Sequence, residues 1–461
     1  VLRKNVSYMG GSEAAADDKE VNISTGQFIN QSTADTGIIN TLNRLRISGW
    51  DYDTNFYEDC NTWGIPIYDF LNSSSSNRQC RDWGNPLAEM YLEALRYFSG
   101  KTSPSTAFDA NDSSIISGLG QVSWSDPLSS DSACANCAII LLSTGLNSFD
   151  GDDLGSASDL PGMSGAASID AFTDAVGVAE GIAGGEYMVG NASSGGSADT
   201  CDTKTITNFS DVEGICPEIP SLQGTYGLAG LSYYAGLRDL RTFTGEQTVN
   251  TYTVALAESL PSLEINASNG ESVSIAPYCI AKHDHAESNS YGSYWGDCSL
   301  VDLTVRALTD DYGVLYISWE DSLWGSDFDM DAYAVIEYCT ATGTAGEVKS
   351  RCPNFTSDER NNHERPEWNA ATSGSVQFRV AVVGEATGVD MEFGYVMNGS
   401  DADGTYSDLE LDDGTNNFNS VALAGTATNK TIWAPTARAF KAVAGTAGKL
   451  ENPLWYAAKY G

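Results

Sequence analysis

CAIILLSTGLNSFDGDDL, residues Cys137–Leu154, is the stretch on which the reading of this chain turns. Ala138 to Leu142 are consecutive apolar residues set between cysteines and Gly145, the pattern of a strand buried on both faces of a parallel sheet. Ser143 and Thr144 close the run. Asp150, Asp152 and Asp153 follow in the loop at its carboxyl end, where open α/β sheets place their ligands. Acids delivered there make a candidate cation or partner site; an aspartate-rich surface turn on a very acidic protein explains them equally well.

The composition narrows the choices around that stretch. The 461 residues suffice for about two to four domains. With 24 basic against 62 acidic residues the formal charge is -38, so nucleic acid and anionic membrane surfaces are poor partners, while cations or cationic polymers suit it. The same charge keeps an exported surface dispersed in salt without any ligand. No apolar run reaches the roughly 18 to 20 residues needed to cross a bilayer, and no membrane span is expected. The opening VLRKNVSYMGGSEAAADDKEV lacks the apolar core of a signal peptide, so an exported protein would be present here in processed or partial form.

Ten cysteines fall as neighbouring couples: Cys60 and Cys80, Cys134 and Cys137, Cys201 and Cys216, Cys279 and Cys298, Cys339 and Cys352. Their uneven spacing, with only His283, His285 and His363 to assist, favours local disulfides in an exported protein over zinc sites. CANC at Cys134–Cys137 is followed by Ala138, not histidine, which removes the haem-attachment reading and leaves a small structural disulfide as the expectation.

Upstream, TGIINTLNRLRISGW carries Ile38, Ile39, Leu42 and Leu45 at helical spacing, and the segment between Cys60 and Cys80 reads as a stapled insertion loop. NPLAEMYLEALRYFSG predicts the best helix: Asn85 as cap, Pro86 in the first turn, and Leu87, Met90, Tyr91, Ala94, Leu95 and Phe98 on one face. SIDAFTDAVGVAEGI and TYGLAGLSYYAGLRDLRT follow as helices and QTVNTYTVAL as a strand, giving an α/β domain over residues 1–310. YGVLYISWEDS, MDAYAVIEYC, SVQFRVAVV and VDMEFGYVMNGS are alternating runs that predict a β-rich, mostly antiparallel insertion or sandwich over 311–415. Residues 416–461 read as a connecting segment ending in NPLWYAAKYG, helical or extended.

The densest acidic cluster is WEDSLWGSDFDMDAY. On an extended segment, Asp327, Asp329 and Asp331 would share one face, a repulsive arrangement that calcium would relieve and a solvated strand would tolerate. SDADGTYSDLELDDG departs from a calcium-loop pattern and reads as a turn at Asp403–Gly404. A Gly-x-Ser-x-Gly elbow and a phosphate-binding Gly-Lys-Ser/Thr loop are both absent from the sequence, and no catalytic set stands out.

Taken together, VLRKN with TGQF and GIINTLNRLRI, WGNPLAEMYLEALRYFSG, LLSTGLNSFDGDDL, GTYGLAGLSYYAGLRDLR with QTVNTYTV, EDSLWGSDFDMDA and the closing NPLWYAAKYG resemble the PilC/PilY family of type IV pilus tip-associated proteins. The resembling part is their amino-terminal von Willebrand A-like region. The resemblance implies a Rossmann-type A-like domain with long disulfide-stapled insertions, incomplete at its start, and a chain leading toward a carboxyl-terminal β-propeller. It implies an exported pilus-assembly factor and adhesin, working with pilus minor subunits or pilin and with a host or abiotic surface. Where A domains often carry a metal-binding aspartate after the central strand, this chain has Ser143-Thr144-Gly145, which leaves Asp150, Asp152 and Asp153 as the acids available to calcium. No enzyme activity is expected. The residues alone also fit a secreted carbohydrate-binding or carbohydrate-hydrolysing protein, given the 10 tryptophans and 22 tyrosines, or a self-assembling extracellular filament subunit.

Overall fold

The computed structural model describes residues 85–109, 145–193, 200–256, 261–283, 294–320, 332–353, 365–385, 390–412 and 431–461 almost continuously, most of 121–143, and the short pieces 50–51, 56–57 and 420–422. The expected helix over Ile38–Leu45, the couple Cys60 and Cys80, Thr144, His285 and the acids Asp327, Asp329 and Asp331 lie outside the described residues. The chain is mixed α/β, with extensive antiparallel sheet. None of the helices among the described residues is long and apolar enough to cross a membrane.

The α/β part is built on two parallel strands, β1 (Cys137–Ser143) and β4 (Val249–Ala255), paired residue for residue from Cys137 with Val249 to Ser143 with Ala255. Helices α1 (Leu87–Phe98), α3 (Gly227–Leu237) and α5 (Pro453–Tyr460) lie against one face of this pair. Leu92, Leu95, Leu228, Leu231 and Leu454 meet Ile139, Leu141 and Val249 there in a single core. The expectation of a strand buried on both faces is corrected: along β1 burial alternates, and Ile140 and Leu142 point to solvent. The unbroken apolar run hid a period of two, because both sets of alternating side chains are apolar while only one is covered.

Helix α2 (Ala166–Ala179) packs on α3 so closely that a Cβ at Gly230 would lie 2.3 Å from the Thr173 hydroxyl. The terminal helix α5 is capped by Asn452, whose side chain accepts from the Leu454 amide at 2.8 Å. Its Leu454 and Ala457 return to the first core, while Tyr456 meets Phe209 and Tyr226 edge-on in an adjoining cluster.

Apart from the short pair Trp50–Asp51 and Phe56–Tyr57, the remaining strands form two facing sheets. One runs in the order β7 (Ser299–Leu308), β8 (Tyr312–Glu320), β9 (Ala332–Cys339), β10 (Ser375–Glu385), with Thr431–Trp433 and Arg438–Lys441 also paired to β10. The other contains β2 (Glu186–Val189), β3 (Asp202–Thr205), β12 (Gly404–Asp412), β11 (Asp390–Asn398), β6 (Ser272–His283) and β5 (Leu263–Asn266) in that order. Ile317, Trp319, Ile336, Phe378 and Val380 of the first sheet interdigitate with Val273, Ile275, Phe393, Tyr395 and Leu409 of the second. Alternating sequence and two inward faces are what a sandwich requires. The position drawn from composition at residue 310 falls in the turn between the paired strands β7 and β8.

Disulfides join Cys201 to Cys216, Cys279 to Cys298 and Cys339 to Cys352. The couple expected at Cys134 and Cys137 is corrected: both thiols are free. Cys137 opens β1 with its side chain in the core, and Ala135 and Asn136 run into the strand without a turn, while Cys134 faces solvent. A disulfide needs Cα atoms about 4.4–6.8 Å apart, which a CxxC meets only where the backbone turns back on itself.

Candidate functional site

The carboxyl end of β1 is where the acidic loop, the start of α1 and the start of α3 meet. Asn85 is the clamp at this junction rather than the cap of α1. Its amide nitrogen donates to the Ser143 hydroxyl at 2.9 Å and to the Leu146 carbonyl at 2.8 Å, and its backbone N–H donates to the Ser148 hydroxyl at 2.8 Å. The helix cap position falls on Pro86, with no side-chain cap. A short polar side chain placed between a strand end and a helix start satisfies whichever orphan backbone groups lie nearest, and here the strand's loop wins.

Beyond Ser148 the chain turns through Phe149, whose φ of 45° lies in the left-handed region rarely used by a bulky residue. This turn sends Asp150 inward. Asp150 is fully buried and accepts from the Thr225 amide at 2.8 Å, the Asn147 side-chain amide at 2.8 Å and the Ala88 amide at 3.4 Å. Asn147 also donates to the Thr225 carbonyl at 2.6 Å, and the backbone passes so close that a Cβ at Gly224 would sit 2.2 Å from the Asn147 carbonyl oxygen. Asp150 thus brackets three segments from distant parts of the sequence. Burial pushes its carboxyl from an ordinary 3.8 to about 6, against the pull of those donors.

Asp152 and Asp153 sit on the exposed side of the same turn, over Glu89 of α1. Glu89 is buried and accepts from the Asp153 amide at 3.1 Å. Burial pushes the Glu89 carboxyl from 4.5 to about 8; Asp152 and Asp153 add to the rise and the Asp153 amide opposes it. The three loop acids are therefore split: Asp150 faces the interior, Asp152 and Asp153 face outward. Among the described residues, no group of three or more His, Cys, Asp or Glu is placed to hold a metal ion.

A folded-state carboxyl above its ordinary value adds stability that is full below the ordinary value and is lost as pH rises through the folded one. For Glu89 that window runs from 4.5 to about 8. Glu89→Gln does not titrate, so the variant is expected to match wild type near the acid end and to exceed it by about 1–2 kcal/mol at pH 9. Urea unfolding across this range checks it; equal stability of both proteins at pH 9 would count against a proton on Glu89.

Glu89 and its neighbours escape a reading of α1 by its apolar face alone. Glu89, Glu93 and Arg96 recur at helical spacing and are all buried. Arg96 donates to both Glu93 oxygens at 2.9 Å and to Asp159 at 2.8 Å, tying α1 to the 3₁₀ turn Leu154–Asp159. The signal was an acid, acid, base stripe beside the apolar one, which marks a helix covered on two sides. Tyr91 completes the frame, its hydroxyl 2.7 Å from the Thr251 hydroxyl on β4.

With this geometry in place, comparison with known proteins identifies the lineage. The protein-family model described as "PilY1 homolog, second domain" matches residues 1–235. The chain is also 26% identical, over 526 aligned positions, to the type IV pilus biogenesis factor PilY1 homolog of Xylella fastidiosa. That alignment takes in 100% of the chain and 32% of the relative, so the chain spans about a third of the relative's length. No solved structure matches. The family match covers more than half of the chain and includes α1, β1, the acidic loop, Asn85, Asp150 and Thr225. By that match the chain belongs to the PilY1 homolog family, and the bracket around Asp150 lies within its second domain.

Proposed function

We propose that the chain is an extracellular, non-enzymatic part of a type IV pilus tip protein that supports pilus assembly and surface adhesion. The observation carrying this reading is the alignment of its whole length with a relative named as a type IV pilus biogenesis factor. Its partners would be pilus minor subunits or pilin on one side and a host or abiotic surface on the other. Disulfides within each sheet region suit a part that bears load, since covalent links hold when packing is pulled apart. If calcium takes part, Asp327, Asp329 and Asp331 are the acids to vary first, because Asp150 already serves three hydrogen bonds.

The test removes the coding region from its host and measures surface pili by electron microscopy alongside retention on a surface under flow. Loss of pili supports assembly, and intact pili with poor retention support adhesion. Unchanged pili and unchanged retention would overturn the proposal.

A further inference from the structure

Residues 186–193 and 200–225 join the second sheet of the sandwich to the acidic loop at the end of β1. Strands β2 and β3 pair with each other and enter that sheet, with Asp202 opposite Gly404 of β12 and with Tyr187 and Met188 beside Gly448 and Lys449. At this end the Thr405 hydroxyl of β12 accepts from the Cys201 amide at 3.0 Å and donates to the Cys201 carbonyl at 2.8 Å. The disulfide to Cys216 carries that anchor to the next part of the chain. Met188, Cys201 and Cys216 close over Tyr278, Ile280 and Val396 of β6 and β11 in one buried cluster.

From Cys216 the link continues through backbone. Glu213 is bridged to Asn191 on one side and to Thr225 on the other, and the Gly214 amide donates to the Gly224 carbonyl at 2.9 Å. The Thr225 amide then donates to Asp150 at 2.8 Å, and the Phe149 amide to the Leu222 carbonyl at 2.9 Å. On either side of that clasp a non-glycine residue sits in left-handed backbone, Gln223 with φ 51° and Phe149 with φ 45°. Such conformations cost about 1–3 kcal/mol each and persist only where the surroundings over-determine them. The clasp therefore has two arrangements, closed with both residues strained or open with both relaxed, which is what coupling between distant parts requires.

We propose that the Cys201–Cys216 disulfide is a coupling element that ties the acidic loop to the sandwich by keeping the clasp between Thr225 and Asp150 closed. A change at β12 then reaches Asp150 through the staple, and a change at Asp150 reaches β12 by the same route, since coupling free energy is reciprocal. The Cys339–Cys352 disulfide spans a similar separation, 13 residues against 15, yet it lies in the cluster with Trp368 and Trp433 on the first sheet and has no such route to the loop. The inference is independent of the pilus role.

Hydrogen exchange of the 461-residue chain tests it, wild type against Cys201→Ala with Cys216→Ala, read at Thr225 and Ala88, the amides that donate to Asp150. Exchange at both is expected to rise at least about tenfold while the amides of β9 and β10 keep their protection. Cys339→Ala with Cys352→Ala controls for a general loss of stability and should leave Thr225 and Ala88 within about twofold of wild type. Thr405→Val keeps the disulfide and removes only the hydroxyl at the sandwich end; it should raise the same two amides by about threefold, and it decides the matter even where the double variant fails to fold. Unchanged exchange at Thr225 and Ala88 in either the Cys201 and Cys216 variant or Thr405→Val would overturn the proposal. So would an equal rise in the Cys339 and Cys352 variant, which would reduce the staple to one contributor to overall stability.

Discussion

Arg379→Met is expected to destabilise the chain by about 3–5 kcal/mol, the cost of breaking a buried ion pair from one side. Arg379 on β10 faces Glu337 on β9 across a paired register, and both side chains are almost wholly buried. One guanidinium nitrogen donates to the Glu337 carboxylate and another to the Pro366 carbonyl at 2.8 Å. The guanidinium also lies over Trp368, 3.6 Å from the ring centroid, with Trp433 beyond at 5.6 Å. Burial pulls its pKa below the ordinary range while Glu337 pushes it back up, as expected of a cation held inside by one anion. Without the guanidinium, the buried Glu337 carboxylate loses its ion-pair partner. Arg379→Met combined with Glu337→Leu should recover most of the loss, because an apolar pair of similar volume removes both desolvation costs. Urea unfolding of wild type, both single variants and the double variant forms the cycle. A double variant as unstable as Arg379→Met would show that the arginine acts through stacking on Trp368 and not through its charge.

That ion pair marks the limit of what pattern reading reaches. Strands β8 to β11 were legible because Val, Ile, Tyr and Phe recur in short runs between turn residues, although β8 and β9 are covered on both faces, by the facing sheet on one side and by Trp368 and Trp433 on the other. Helices α1, α2 and α3 were legible from apolar spacing. Strand β6 was not: SVSIAPYCIAKH places Pro277 mid-run, and the strand is held by neighbours on both sides, β5 and β11, that lie far apart in sequence. Glu337 and Arg379 look like surface residues in their strings, since nothing local reveals that Trp368 and Trp433 close over them. At the candidate site the loop was found because acids follow an apolar strand. The division of labour within it was not, because it depends on Thr225, 75 residues beyond Asp150, and on the turn at Phe149. A resemblance to A domains directs attention to these acids as ligands, whereas hydrogen bonding assigns Asp150 to the frame.

Asp150→Ala is expected to cost about 2–4 kcal/mol at pH 4.5, since it leaves buried donors on Thr225, Asn147 and Ala88 without an acceptor. Asp152→Asn and Asp153→Asn, on the exposed side of the turn, should stay within about 0.5 kcal/mol. The pH dependence distinguishes the bracket from a general packing defect. The Asp150 carboxyl is raised from 3.8 to about 6, so its contribution is full below the lower value and declines as pH rises through the upper one. The alanine variant lacks that titration, and its deficit against wild type should therefore be smaller at pH 7.5 than at pH 4.5. The damage should also be local first. Hydrogen exchange ought to rise at the amides of Ala88 and Thr225 while the sandwich amides of β9 and β10 keep their protection, because the bracket joins α1, the loop and α3 and touches neither sheet of the sandwich. A deficit that grows with pH, or exchange that rises equally in the sandwich, would mean that Asp150 holds its charge through the acid range or that the chain unfolds as one unit. Either result would remove the bracket as the element that fixes the acidic loop at the end of β1.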